Sequence, residues 1–313
     1  MAVPAKANKG RPVNGVVLLD KPQGLSSNRV LQRVKRLFSA SKAGHTGALD
    51  PIATGMLPIC LGEATKFSQY MLDADKRYQV LAKFGERTTT SDCEGEVVES
   101  SASRPTKEQL QQALSDFIGT QKQSPSLYSA LKYQGRPLYE YARKGIDVPR
   151  KIRDITIYDI KLLSIDGDSA RLDVSCSKGT YIRTLVDDLG QQLGCGAHVA
   201  ELHRSAVAGF EQQPMYSFEQ LLSCAGVDQA EFADADLDAL DQLLLPCDAT
   251  LVSLPEYWVD NEVAEGFFHG MPVRHGSLRD GDEYRIKCQA DGRFLGTGLV
   301  RKGGDIWPKR VVI

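Results

Sequence analysis

No apolar run in this 313-residue chain approaches the roughly 20 residues that a membrane-crossing helix needs; the longest are on the scale of GVVLL at 15–19. The start, MAVPAKANKGRP, is basic but has no apolar core, so no secretory signal is expected. The seven cysteines are odd in number and include no CxxC pair. That argues against a disulfide framework or a zinc ribbon and for reduced thiols in a cytoplasm. The five histidines also lack ligand spacing: His198 and His203 are five apart and would not share a helical face. GxxxxGK[ST], GxGxxG and GxSxG are all missing, which sets aside the common nucleotide-phosphate loops and the hydrolase elbow. No metal, cofactor, membrane or protein partner is therefore expected.

What is present is the composition of a soluble globular protein, 42% hydrophobic and 25% charged, long enough for a large domain and a small one. The net charge of −2 hides an uneven distribution. Residues 211–250 hold nine acids and no Lys or Arg, so the other 273 residues carry +7. Within 121–161, nine basic residues face four acidic ones. A polyanion could bind the basic part and avoid the acidic one.

Residues 1–12 read as a disordered tail and GVVLL as a strand. SSNRVLQRVKRLF reads as a helix with a serine cap, buried Val30, Leu31, Val34, Leu37 and Phe38, and outward Arg29, Arg33 and Arg36. Those arginines fit either a solvated face or phosphate contact. KRYQVLAKF alternates as a strand with Tyr78, Val80, Ala82 and Phe84 on one face. Thr106 and Gln109 form a capping box, with Gly119 as the stop. Segment 123–153 interleaves Tyr128, Tyr133, Tyr139 and Tyr141 with Lys132, Arg136, Arg143 and Lys144. That mixture suits base stacking with phosphate pairing, although tyrosines also pack; Gly135 and Gly145 would be hinges of a flap. Strands are expected near 155–165 and 170–176, then a helix at YIRTLVDDLG capped by Thr180. Beyond 250, EYRIKCQA, GRFLGTGLV and DIWPKRVVI read as short strands of a small β-barrel-like unit.

One carboxylate stands out. In KAGHTGALDPIATGMLPICLGEATK, Asp50 lies between a glycine-rich approach and Pro51, which drives it toward extended geometry. Apolar residues follow at once, so the turn abuts the core. A surface turn would use the same residue types. A glycosidase would want a second carboxylate held nearby, and the neighbouring acids, Asp20 and Glu63, are placed elsewhere.

This stretch closely resembles the signature of the TruB family of tRNA pseudouridine synthases. LDKPQGLSS, KRYQV, SALKYQGRPLYEYAR, CSKGTYIRTLVDDLG and GAHVAELHRSAVAGF resemble it too, covering about 13–210. The resemblance implies a catalytic domain over 13–250, with an RNA-binding insertion at about 123–153 and the acidic segment at 211–250. A PUA-like RNA-binding domain would follow at 251–313. The fold class implied is α/β (α+β): a mixed, mostly antiparallel sheet flanked by helices, plus the small β-barrel-like domain. The activity implied is isomerisation of uridine 55 in the tRNA T-loop, so the partner is the tRNA T-arm. Asp50 matches the catalytic aspartate, ionised at neutral pH by its reference value. Tyr78 matches the tyrosine that stacks on the base and could take the C5 proton, and Arg183 the arginine that pairs with the aspartate in bidentate fashion. Tyr181 and Leu202 match the uracil pocket, and His45 a residue that contacts RNA as the nucleotide leaves the stack. Lys21 reads as structural or phosphate-facing. The alternative is a tRNA-folding chaperone whose modification is incidental.

Overall fold

The computed structural model describes residues 10–129, 131–228 and 232–312. β1 (Gly15–Lys21) is buried on both faces along Gly15–Leu19, which is why GVVLL is continuously apolar. Val17 and Leu19 enter the main core, while Val16 and Leu18 join Met56, Cys60 and Phe210 in a second cluster. Ser26 caps α1 (Ser27–Leu37), its Oγ accepting from the Arg29 amide at 3.3 Å. The helix buries Val30, Leu31, Val34 and Leu37 and turns its arginines outward, Arg33 lying 4.0 Å over the Phe218 ring. β2 (Ala43–His45) and β3 (Thr54–Leu61) follow, then α2 (Ser68–Leu72) and β4 (Lys76–Phe84). The alternation of β4 is as expected, with Tyr78, Val80, Ala82 and Phe84 inward.

β5 (Glu86–Thr88) and β6 (Val97–Ser100) pair as a short ribbon. Thr106 and Gln109 make the capping box of α3 (Lys107–Asp116), and Gly119 opens β7 (Gly119–Gln123) at a φ of +111°. In the basic segment, β8 (Lys132–Tyr133) and β9 (Arg136–Pro137) form a hairpin before α4 (Leu138–Ala142). Gln134 and Gly135 close that hairpin with positive φ at both positions, the geometry a two-residue turn requires. Gly145 ends α4, where the Ile146 amide reaches back to Tyr141 O. Both glycines expected as hinges sit in turns at positive φ.

β10 (Arg153–Asp166) and β11 (Ser169–Cys176) lead to α5 (Ile182–Gln192), and β12 (Ala197–Val207) completes the large sheet. Its order is β1-β3-β12-β4-β11-β10-β7, with β2 added on β3. Every pairing is antiparallel except β3 with β12, where Thr54 and Gly55 meet His203 and Arg204. Helices α1, α3 and α5 share the main core with the sheet.

The acidic stretch is built into this body. Ser217 and Gln220 form a second capping box for α6 (Phe218–Cys224), and Asp236 caps α7 (Leu237–Asp241). Its later end docks by Leu245 against Val16. Residues 1–9 of the expected tail lie outside the described residues. Gly10–Pro12 do not fit a loose tail: Arg11 bridges Ala40, and its guanidinium forks onto Asp241.

Beyond it, β13 (Glu256–Val259), α8 (Asn261–Phe268), β14 (Glu283–Cys288), β15 (Phe294–Arg301) and β16 (Asp305–Val311) form the small PUA-like domain. Its own core contains Val259, Phe267, Ile286, Leu295 and Ile306. Pro308 is tolerated because β16 is an edge strand. Ion pairs, hydrogen bonds and aromatic contacts join the domain to the large body. Asp248, 5% exposed, holds Lys287 at 3.0 Å and Arg285 at 3.4 Å, and both cations also reach Glu256. Lys66 donates to Val311 O at 2.8 Å, Phe67 meets Phe294 edge-on, and Tyr70 donates to Glu283. Among the described residues, no helix is long and apolar enough to cross a membrane.

Candidate active site

Asp50 sits in the loop that joins β2 to β3, and almost every peptide of that loop is tied down. The Thr46 amide donates to Pro58 O at 3.1 Å, and the Ser27 hydroxyl bonds both the amide and the carbonyl of Leu49. Gly24 N donates to Pro51 O at 2.8 Å, and Ala53 N to Asp50 O at 3.1 Å. Gly47 adopts a φ of +81°, which only glycine enters without strain. From below, the ammonium of Lys21, wholly buried, donates to Ala53 O at 2.6 Å and to Pro22 O at 2.8 Å. Lys21 is thus a buried brace and does not face solvent phosphate. Burial pushes it down to about 8, with the Asp50 charge opposing.

Arg183 comes from the first turn of α5. It spans two carboxylates, Nη2 lying 2.9 Å from Asp50 and Nη1 3.1 Å from Asp92. Its remaining bonds go to Thr90 O at 3.0 Å and Tyr128 O at 2.8 Å. The expected bidentate clasp on Asp50 is absent because the second nitrogen is committed to Asp92. The side chains of Arg183 and Asp92 are each 4% exposed, whereas that of Asp50 is 40% exposed. The pair is therefore a fixed charge beneath a reachable one. Crowding by the protein raises the Asp50 carboxyl above its ordinary value, Arg183 opposes the rise, and Asp92 adds to it. The open face of Asp50 leaves water to screen much of this.

Asp92 was not legible beforehand. It lies in the turn TTSDCEG between β5 and β6, where an aspartate is unremarkable. Thr90 and the Glu94 amide hold its second oxygen at 2.5 and 3.1 Å. The start of α5 also differs from expectation. Thr180 donates to Ser177 O and does not cap the helix. Gln123, at the end of β7, instead brackets Tyr181 by bonding both its amide (2.7 Å) and its carbonyl (3.0 Å).

Two tyrosines lie within reach of the Asp50 charge. Tyr78 is buried at mid-strand on β4, opposite Val174 on β11 and Arg204 on β12. Leu202 lies two residues before Arg204, opposite Val80, and is 7% exposed. Tyr78 and Tyr181 both feel the Asp50 charge, and burial raises both phenols. His45, half-buried on β2, is pushed below its ordinary value by burial and then by Arg204, and its Nδ1 has no partner among the described residues. A hollow of about 510 Å³ lined by Lys76, Arg77, Asp173 and Ser205 contains none of these site residues.

Arg204 was the other residue missed. It is 1% exposed, a cation on the inward face of a strand, and that misplaced charge was the signal available in HRSAV. Chemically, the arrangement offers an exposed carboxylate with its angle fixed, an aromatic wall, and cations beneath. It suits attack on, or assistance at, a carbon atom of a flat ring system.

The family profile described as "TruB family pseudouridylate synthase (N terminal domain)" matches residues 35–182. "tRNA pseudouridylate synthase B C-terminal domain" matches 183–252, and "Pseudouridine synthase II TruB, C-terminal" matches 255–312. The chain is 53% identical over 310 residues to tRNA pseudouridine synthase B of Vibrio atlanticus, covering 99% of this chain and 97% of that protein. It is 54% identical over 312 residues to the protein of the same name from Idiomarina loihiensis, covering 98% and 97%. Among solved structures, a chain in the crystal structure of a Cbf5–Nop10–Gar1 complex is similar with a TM-score of 0.68 at 25% identity. That similarity covers 93% of this chain and 79% of that one.

Proposed function

The chain belongs to the TruB family of pseudouridine synthases and is an isomerase, and on that footing we propose that it converts uridine 55 in the T-loop of tRNA to pseudouridine. The observation that carries the site assignment is Asp50, exposed on a braced loop with the buried Arg183 guanidinium 2.9 Å away. Tight bracing matters because rate falls steeply when a reacting group is misplaced.

The reaction rearranges one nucleotide. The bond from the sugar C1′ to uracil N1 breaks, the base turns, C5 bonds to C1′, the C5 proton leaves so that the ring recovers its double bond, and N1, freed from the sugar, takes up a proton. Atoms balance with no oxidant, water or cofactor. Asp50 assists cleavage and holds the intermediate, Arg183 fixes its angle, and Tyr78 stacks on the base and accepts the C5 proton. Tyr181 and Leu202 line the uracil side. His45 meets RNA where the nucleotide is extruded, which costs the duplex a few kcal/mol. The half-exposed basic segment, with residues 251–313, supplies phosphate contacts along the T-arm. The compartment is the cytoplasm, where tRNA is modified.

The test is incubation of the purified protein with unmodified tRNA transcripts, followed by mapping of pseudouridine at single-nucleotide resolution. One modified position, in the T-loop, is expected. Binding of tRNA without pseudouridine would instead establish the chaperone alternative.

A further inference from the structure

Arg204 is a buried guanidinium with no carboxylate in ion-pair range among the described residues, which is a costly arrangement unless the charge has work to do. Its Nε donates to Met56 O at 2.7 Å and its Nη2 to Gly47 O at 3.0 Å, so two neutral carbonyls hold it. Its position is fixed from the backbone as well. At Gly55 a Cβ would lie 2.3 Å from Arg204 O, so glycine is what lets β12 approach β3 this closely. Across the sheet, Arg204 is the register partner of Tyr78.

We propose that Arg204 is a positioning residue for the proton-accepting step: its charge beside Tyr78 makes the phenolic oxygen a better acceptor, while its bond to Gly47 holds the loop that presents Asp50. This rests on the reading of Tyr78 as the group that takes the C5 proton.

The charges facing Tyr78 agree with it. Burial drives its phenol up, and the Arg204 charge, on the paired strand, is the chief opposing influence. Asp50 on its loop and Cys176 on β11 push the phenol further up. Around Arg204 itself lie Lys21 on β1, His45 on β2 and Lys76 on β4, all of which it pushes down. In the step itself the C5–H bond breaks, its electron pair restores the C5–C6 double bond, and the proton passes to the Tyr78 oxygen. A cation beside that oxygen stabilises it as the ionised acceptor.

The experiment compares single-turnover rates on a tRNA transcript from pH 6 to 10 for wild type, Arg204→Lys and Arg204→Gln, with tRNA affinity measured separately. At pH 7, Arg204→Gln should be slower by about a hundredfold, the scale of a positioned acid–base group, with affinity within about threefold. Its deficit should shrink as pH rises, because less of the acceptor then needs help to ionise. Arg204→Lys keeps the charge and should stay within about tenfold at pH 7. A deficit equal in both variants and level across pH would make Arg204 merely structural and overturn the proposal. Should the glutamine variant not fold, the lysine variant still decides. A loss in Arg204→Lys at pH 7 as large as about a hundredfold, with the charge kept, would overturn the proposal. If Tyr78→Phe turns over like wild type, the underlying reading of Tyr78 fails, and that result is separate from either outcome for Arg204.

Discussion

The Asp50 loop and the basic segment that follows β7 are both irregular, and they are built on opposite principles. In the loop, nearly every peptide unit is held by at least one hydrogen bond, and the nearby cations Lys21 and Arg204 are buried on carbonyls. In the segment, Lys132, Arg136, Arg143, Lys144 and Arg150 are exposed, and the tyrosine rings pack within the segment itself. Tyr133 and Tyr141 pack edge-on at 5.8 Å, and Arg143 lies 5.5 Å over Tyr139. Arg183 ties the segment to the site by donating to Tyr128 O. Fixed inward charge suits chemistry, which needs one geometry; outward charge on a lightly tethered segment suits gripping a long polyanion. Residues of the first kind should alter turnover, and those of the second should alter affinity.

The sharpest break in that contrast comes from Asp50→Asn. It keeps the side-chain shape and removes the charge, so turnover should fall more than about a thousandfold while tRNA affinity stays within about threefold. A robustly active Asn variant would remove Asp50 from the chemistry. In wild type, the acid limb of the rate profile should sit above the ordinary aspartate value of 3.8, because the carboxyl is raised and must be ionised to act. Tyr78→Phe comes next. Turnover should fall about a hundredfold or more with stacking, and hence affinity, preserved.

Asp92→Ala tests whether the loop's rigidity reaches through Arg183. Breaking a buried pair costs about 3–5 kcal/mol, so the melting temperature should drop measurably and turnover should fall with little loss of affinity. An unchanged melting curve would reduce Asp92 to a bystander. The segment is tested by Arg143→Ala with Lys144→Ala. Affinity should weaken and the salt dependence flatten by up to about two phosphate contacts, with the rate on bound tRNA changing far less. Wild-type affinity and slope in that variant would leave both charges solvated and idle. The smallest effect expected is none: no step is assigned to a metal, so turnover should survive chelation, and a loss restored by zinc would contradict that.

What could be read beforehand divides along the same line. Local signals carried well: the alternation of β4, the Ser26 and Thr106 caps and the spacing of α1 all depend on neighbours within a few residues. Asp50 was legible because an unusual run of turn residues surrounds it. The partners that make the site work were not, because they converge from distant positions. Asp92 reaches Arg183 across 91 residues, and Gln123 reaches Tyr181 across 58. Thr180 illustrates the limit: a good cap by type turns back to Ser177 O, while Gln123, remote in sequence, bonds the Tyr181 backbone. The acidic segment had no motif, and its logic appears only in contacts such as Asp241 with Arg11 and Asp248 with Arg285 and Lys287.

That last cluster bears on how the small domain meets RNA. Residues 251–313 contain nine basic and nine acidic side chains, so the domain has no net monopole. Several of its cations are already committed, Arg285 and Lys287 to Asp248 and Glu256, Lys309 to Glu283, and Arg274 to Asp305. The field of such an array decays faster with distance than that of a single charge, and salt shortens it to about 8–10 Å. The domain therefore cannot draw a distant tRNA toward itself. Capture from afar falls to residues 1–210, which carry +7, and the small domain recognises only what has already arrived.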